Sequence, residues 1–158
     1  MMTVTLYSRW AVRSTLLAAA LAIPLAGAAA AGEPIGQIKT AAGTVAIERA
    51  GTSRPAAAGD RVQEADVVTT GADGTVGITF QDNSMMSLGP DSRLALDKFL
   101  FDTTTHDGVF ESSLRSGTLA VKSGQIVQQT PEAMRVRTPV AVLAVRGTEF
   151  VVRAEAAR

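Results

Sequence analysis

The residues of this chain best suited to chemistry sit in turns. His106 is the sole histidine of the 158 residues, and it lies between Asp102 and Asp107 in a polar segment. One imidazole and two carboxylates, without a second histidine or any cysteine, make a poor transition-metal set. Aspartates recur at Asp73, Asp82, Asp91 and Asp97, but they follow neither an EF-hand loop nor a glycine-rich nonapeptide repeat. Turn chemistry accounts for them more simply, because Asp bonds to nearby backbone amides. No G-x-S-x-G elbow, phosphate-cradling loop or dinucleotide fingerprint is present, and one loop histidine cannot complete a Ser-His-Asp arrangement. We therefore expect a non-enzyme with no cofactor and no bound metal.

The cation of most interest is Arg146, which ends the apolar run Val140–Val145 and precedes Gly147 and Thr148. A guanidinium there could meet a partner's carboxylate, or fold back on a carboxylate such as Glu149 or on backbone carbonyls and lock the C-terminal strand; the second use is the expected one. Gly147 would permit a bulge or a positive φ. Six apolar residues in a row predict an element buried on both faces. Thr138 and Pro139 suit a helix start, while the valine content favours a strand.

The elements that must position these residues are short strands. The pairs Ile78/Phe80, Met86/Leu88 and Leu94/Leu96 follow one another at intervals of eight, separated by Gln81-Asp82-Asn83 and Gly89-Pro90-Asp91. Strand, turn, strand at that spacing predicts an all-β fold: a single domain of short strands and tight turns, either β-helix or β-roll-like, or a meander sandwich. Further strands are expected at Gly43–Arg49, Asp66–Thr70 and Val109–Arg115. Asp107-Gly108 marks a hairpin connection, and Ser123-Gly124 marks a second one between Gly117–Lys122 and Gln125–Gln128.

Residues 1–31 read as a cleavable signal peptide, with Arg9 and Arg13 ahead of an apolar stretch that closes on Ala29-Ala30-Ala31. The remaining 32–158 are expected to form one domain, periplasmic or secreted, with no membrane span after cleavage. The absence of cysteine leaves that domain without disulfides in an oxidising compartment, so its core must hold it together. Basic residues are scattered rather than gathered on a face, which argues against nucleic acid as a partner.

Several segments taken together resemble the FecR domain, a family named after the ferric-citrate regulator of bacterial cell-surface signalling. They are Gly59-Asp60, Val67-Val68-Thr69-Thr70-Gly71, Phe80-Gln81-Asp82-Asn83-Ser84, Leu88-Gly89-Pro90-Asp91-Ser92, Gly117, and finally Thr138-Pro139 followed by Arg146-Gly147-Thr148-Glu149-Phe150. The resemblance spans about residues 36–153 and marks Thr138, Pro139, Arg146, Gly147, Thr148 and Phe150 as family-motif positions, structural in the first instance. Regulators of this kind join a cytoplasmic anti-sigma segment and a membrane span to a periplasmic part that receives the state of an outer-membrane transducer. This chain departs from that plan, with a signal-like segment where the cytoplasmic part would be. The resemblance thus implies a stand-alone envelope module that binds or scaffolds another envelope protein, or assists signalling. The alternative is a binding module for cell-wall or surface polysaccharide. Against it, Trp10 and Tyr7 both lie in the signal segment, leaving phenylalanines as the only aromatics of the domain. Oligomeric state is not readable from the sequence.

Overall fold

The computed structural model describes residues 32–147 and 149–156. The segment read as a signal peptide, residues 1–31, lies outside the described residues, as does Thr148. Residues 31–158 form a compact unit of their own, and the described part is all-β apart from one short helix.

Its plan follows from five bent arms. β1 (Pro34–Ala42) and β2 (Val45–Arg49) are two limbs of the first arm, and β3 (Thr52–Pro55) and β4 (Arg61–Gln63) are limbs of the second. β5 (Val67–Thr70) and β6 (Thr75–Phe80) make the third, β7 (Met85–Leu88) and β8 (Arg93–Phe101) the fourth. The fifth is the single strand β9 (Gly108–Lys122). Neighbouring arms are antiparallel and pair along both limbs, with register shifts between Pro34 and Gly36, Ile38 and Thr40, Arg93 and Leu94, and Leu96 and Lys98. Along β9, for example, Phe101 pairs with Gly108, Arg93 with Ser116, Leu88 with Leu119 and Met85 with Lys122. Likewise β2 and β1 pair with β5 and β6, and β3 and β4 pair with β2 and β1.

Four of the arms bend at one level, joined there by bonds from Gly71 to Thr44, Asp91 to Gly71 and Gly89 to Thr118, while the second crosses between Val45 and Ile38, and the sheet curls into two halves. One half holds β3, β2, β5, β8 and the first part of β9; the other holds β4, β1, β6, β7 and the rest of β9. Alternation along each limb places one face inside. Val76, Ile78 and Phe80 of β6 are buried, as are Met86 and Leu88 of β7, Leu94 and Leu96 of β8, and Phe110 and Leu114 of β9. They form one core. The two inner faces meet where the Phe80 ring lies 4.6 Å from Phe110 and 6.0 Å from Phe99. The expected eight-residue repeat is therefore real. It arises from a meander whose β6–β7 pairing is antiparallel, with no parallel stacking of coils at that place.

The bends are built from close backbone contacts. Gly117, at φ +90, would place a Cβ 2.1 Å from Ser92 Oγ, and Gly43, at φ +65, would place one 2.1 Å from the Asp73 carbonyl. Both positions need glycine for conformation and for space. Side chains on β9 confirm the bend: Phe110, Ser112 and Leu114 face inward before it, and Leu119 and Val121 after it, so the inward phase flips across Gly117.

At the open end, α1 (Gln125–Gln129) follows β9. This segment was expected as a strand of a Ser123-Gly124 hairpin. Gly124 instead presses against the Asp82–Ser84 turn, where a Cβ would stand 2.2 Å from the Asp82 carbonyl. That carbonyl accepts the Gln125 N–H at 2.7 Å. The contact starts a helical turn, which puts Ile126 and Val127 into the open mouth of the core. Beyond it, β10 (Met134–Arg137) runs parallel to the first part of β9, β11 (Val142–Ala144) pairs back on β10, and β12 (Glu149–Ala154) lies antiparallel to the end of β9.

The Val140–Val145 run does not lie buried on both faces. Val140 is 95% exposed and Val142 64%, while only Val145 is buried, with Leu143 packed against the core's margin. The run falls on a tip and on a three-residue strand paired on one side only, so no neighbour exists to cover its outer residues. Two variants test this architecture by thermal and urea unfolding. Gly117→Ala should destabilise the domain by at least about 2 kcal/mol, from forced backbone and the Ser92 clash. Val142→Asp should leave the melting temperature within a few degrees of wild type, whereas a charge at a doubly covered strand position would abolish folding.

Candidate functional site

Two regions gather the polar and motif residues: the bend line and the C-terminal hairpin. On the bend line, Ser92 is buried and fully engaged. Its N–H donates to Thr70 Oγ1 at 2.9 Å, its hydroxyl donates to the Gly89 carbonyl at 2.8 Å, and its oxygen accepts the Thr118 N–H at 3.0 Å. The Thr70 hydroxyl in turn donates to Gly89 O at 2.7 Å. Backbone bonds Thr70 N–H to Ser92 O, Asp91 N–H to Gly71 O, and Gly71 N–H to Thr44 O carry the network across four arms. The Thr70-Gly71, Leu88–Ser92 and Gly117 segments thus converge at one corner. The Thr70 and Ser92 hydroxyls are both engaged within this corner, so their work there is structural.

A second polar centre fastens the β4–β5 turn. Asp66 is fully buried, and its carboxylate accepts Arg49 Nε at 2.7 Å, Arg49 Nη2 at 2.8 Å and the Gln63 N–H at 2.8 Å. The fork-to-carboxylate geometry supplies two parallel charge-assisted bonds, and it raises the Arg49 pKa above its ordinary value, mainly through the hydrogen bond to Asp66.

The His106 segment is a turn. Asp102 accepts the N–H groups of Thr104 at 2.7 Å and Thr105 at 3.0 Å, which hold its carboxyl below the usual range. The exposed imidazole stacks on Phe101 with ring centres 6.2 Å apart. Asp60 is likewise held low, chiefly by the Ala57 N–H and then by Arg54, and Asp73 by the Thr44 N–H. Among the described residues there is no group of three His, Asp or Glu side chains placed to hold a metal ion.

The C-terminal motif residues are spread along a crossover rather than gathered in a pocket. Thr138 closes the β10–β11 turn: its N–H donates to Ala141 O at 2.8 Å, and Ala141 N–H donates to Thr138 Oγ1 at 3.0 Å. Pro139 follows, exposed, at the tip. Gly147 sits at φ +120 with open space where a Cβ would be, and its carbonyl accepts from Ser123 Oγ. Phe150 returns to the inner side of β12, half-buried against the core. Arg146 was expected to fold back on a carboxylate such as Glu149 or on backbone carbonyls; the carboxylate it meets is Glu132, while Glu149 lies on β12 beside Lys122. Its side chain is 74% exposed, so it locks little.

Sequence reasoning missed the surface that these residues frame. Val140 and Val142 stand out from the hairpin, and a groove of about 380 Å3 lined by Pro139, Val140, Arg153, Ala154 and Glu155 runs beside them. The signal was present in the turn pair Thr138-Pro139 immediately before the apolar run, which places Val140 at a tip rather than within an element.

The two ion pairs should separate cleanly in stability. Arg146→Ala should cost no more than about 0.5 kcal/mol, as exposed pairs do. Arg49→Ala strands the Asp66 carboxylate and should cost about 2 kcal/mol, less than for a fully buried pair because the Arg49 side chain is 38% exposed. The pH dependence has a definite sign. Asp60, Asp73 and Asp102 have folded pKa values below their unfolded ones. Their contribution is complete above the unfolded value of about 3.9 and is lost as pH falls through the folded values. The melting temperature should be level from neutrality to about pH 5 and decline below about pH 4, with a shallower acid limb in the Asp60→Asn, Asp73→Asn double variant.

No curated protein and no solved structure matches this chain. A family model described as FecR protein does match, over residues 66–158. The matched region begins at the buried Asp66 and takes in the Ser92–Gly117 corner, the hairpin with its exposed valines, and β12. It covers more than half of the chain, and its residues carry the motifs whose structural work has just been described: the chain belongs to the FecR protein family.

Proposed function

We propose that this protein is a non-catalytic binding module of the bacterial envelope, which holds another envelope protein through the tip of its β10–β11 hairpin. The observation that carries the reading is the pair of valines, Val140 and Val142, held out in water by a hydrogen-bonded turn. Each forgoes roughly 1.5 kcal/mol of burial that a partner's apolar surface would recover. The hairpin is fixed rather than loose, since β10 is anchored by the buried Met134 and Val136. A rigid apolar tip loses little entropy on binding.

Family membership supports a signalling-related role in the periplasm, as does the signal-like segment at residues 1–31. Among the described residues, no helix is long and apolar enough to cross a membrane. For polysaccharide recognition the aromatic side chains are poorly placed. Phe80, Phe99 and Phe110 are buried, and Phe101 and Phe150 are half-buried, so they offer no broad exposed stacking platform.

The test is retention of envelope proteins by the immobilised domain, residues 32–158, compared with a Val140→Lys, Val142→Lys variant. The expected result is one or more proteins retained by wild type and lost from the variant, with equal melting temperatures. Equal retention by both would remove the hairpin from the reading, and no specific retention would remove the binding role.

A further inference from the structure

We infer that β12 is a self-complementary edge through which two copies of this chain pair, antiparallel about a two-fold axis at Val151. β12 bonds to β9 on one side, and none of its residues takes part in a backbone hydrogen bond to any other described element. The other free edges are protected in the ways edge strands usually are. β3 is Thr-Ser-Arg-Pro, polar and ended by a proline, and β4 and β11 have three residues each. β12 has six, with two central valines and no proline.

Its charges would normally be read as further protection, but their pattern says otherwise. Glu149, Val151 and Arg153 alternate on the exposed side of the strand, and Phe150, Val152 and Ala154 on the inner side. A two-fold antiparallel pairing centred on Val151 sets each residue opposite the one equally far from the centre. Glu149 then faces Arg153 of the second copy, Arg153 faces its Glu149, and Val151 faces Val151. On the inner side Phe150 meets Val152 of the second copy, which continues the apolar layer from one molecule into the next. Two charges of the same sign at these positions would repel each other in that register. One of each sign, spaced four residues apart about a valine, attract twice.

The exposure of Val151 fits a missing neighbour. Within its own sheet its cross-strand partner is Ala120, too small to cover it, and Val151 stays 70% exposed. The charged groups are also available. Arg153 takes part in no ion pair among the described residues, and Glu149 reaches Lys122 only at 3.5 Å, with both side chains more than half exposed. This edge adjoins the hairpin tip, since Arg153 and Ala154 line the groove beside Val140, but the pairing centres on Val151 and its test reads charge reversals at positions 149 and 153 rather than changes at Val140 and Val142.

The experiment is sedimentation velocity over a concentration series, on residues 32–158 and three altered forms. Wild type should pass from monomer to dimer as concentration rises. Glu149→Arg leaves only arginines at positions 149 and 153, Arg153→Glu leaves only glutamates, and each alone should self-associate at least about tenfold more weakly. An equimolar mixture of the two should form heterodimers, because arginines then face glutamates at both places. That recovery also shows that both variants are folded. Val151→Lys should be monomeric and should keep the wild-type melting temperature. A wild type that stays monomeric throughout overturns the proposal, as does dimerisation indifferent to the single reversals. Two folded variants that fail to associate on mixing would overturn it as well.

Discussion

Everything in this domain depends on four arms bending at one level. A sheet this wide buries one face only if that face finds another, and here the chain supplies the second face by curling each arm over. The bend brings backbone against backbone at distances no side chain allows, as at Gly117 against Ser92 and Gly43 against Asp73. The amides freed at the corner must then be satisfied without a regular ladder. Thr70 and Ser92 do this with side-chain hydroxyls that stand in for missing strand partners. Glycine supplies the space and the hydroxyls supply the bonds, and neither is sufficient alone.

The arms themselves were legible because inward positions alternate and turns between them are chemically marked. Ile78, Phe80, Met86, Leu88, Leu94 and Leu96 all lie in the core, and the Asp82–Ser84 and Gly89–Ser92 segments are the turns or bends their residues suggested. What could not be read was sidedness. An apolar run such as Val140–Val145 looks the same on a central strand and on an edge, since the difference lies in whether a neighbour exists. The same limit applied to Arg146, whose pairing with Glu132 depends on the crossover's route. It applied again to Gln125–Gln129, where contact with a turn some forty residues earlier in the chain selects helix over strand.

The motif residues divide by task. Thr70, Gly71, Ser92 and Gly117 maintain the corner, and Asp66 with Arg49 secures the turn that enters it. Thr138, Gly147 and Phe150 shape the passage from β11 to β12. Residues that set shape are therefore distinct from residues that present surface, and the latter, Val140, Val142 and Val151, can vary in character without disturbing the scaffold.

The length of β9 has a dynamic consequence. Its first part is bonded to β8 and β10 and its last part to β7 and β12, so one strand is stitched on both sides across both halves. Neither half can open while the other stays closed without tearing this strand. The amides of β9 should therefore exchange with solvent only through complete unfolding, while those of the singly paired β11 exchange through local fraying. A domain with no disulfide thus gains through one shared strand the all-or-none persistence that cross-links give disulfide-bonded domains.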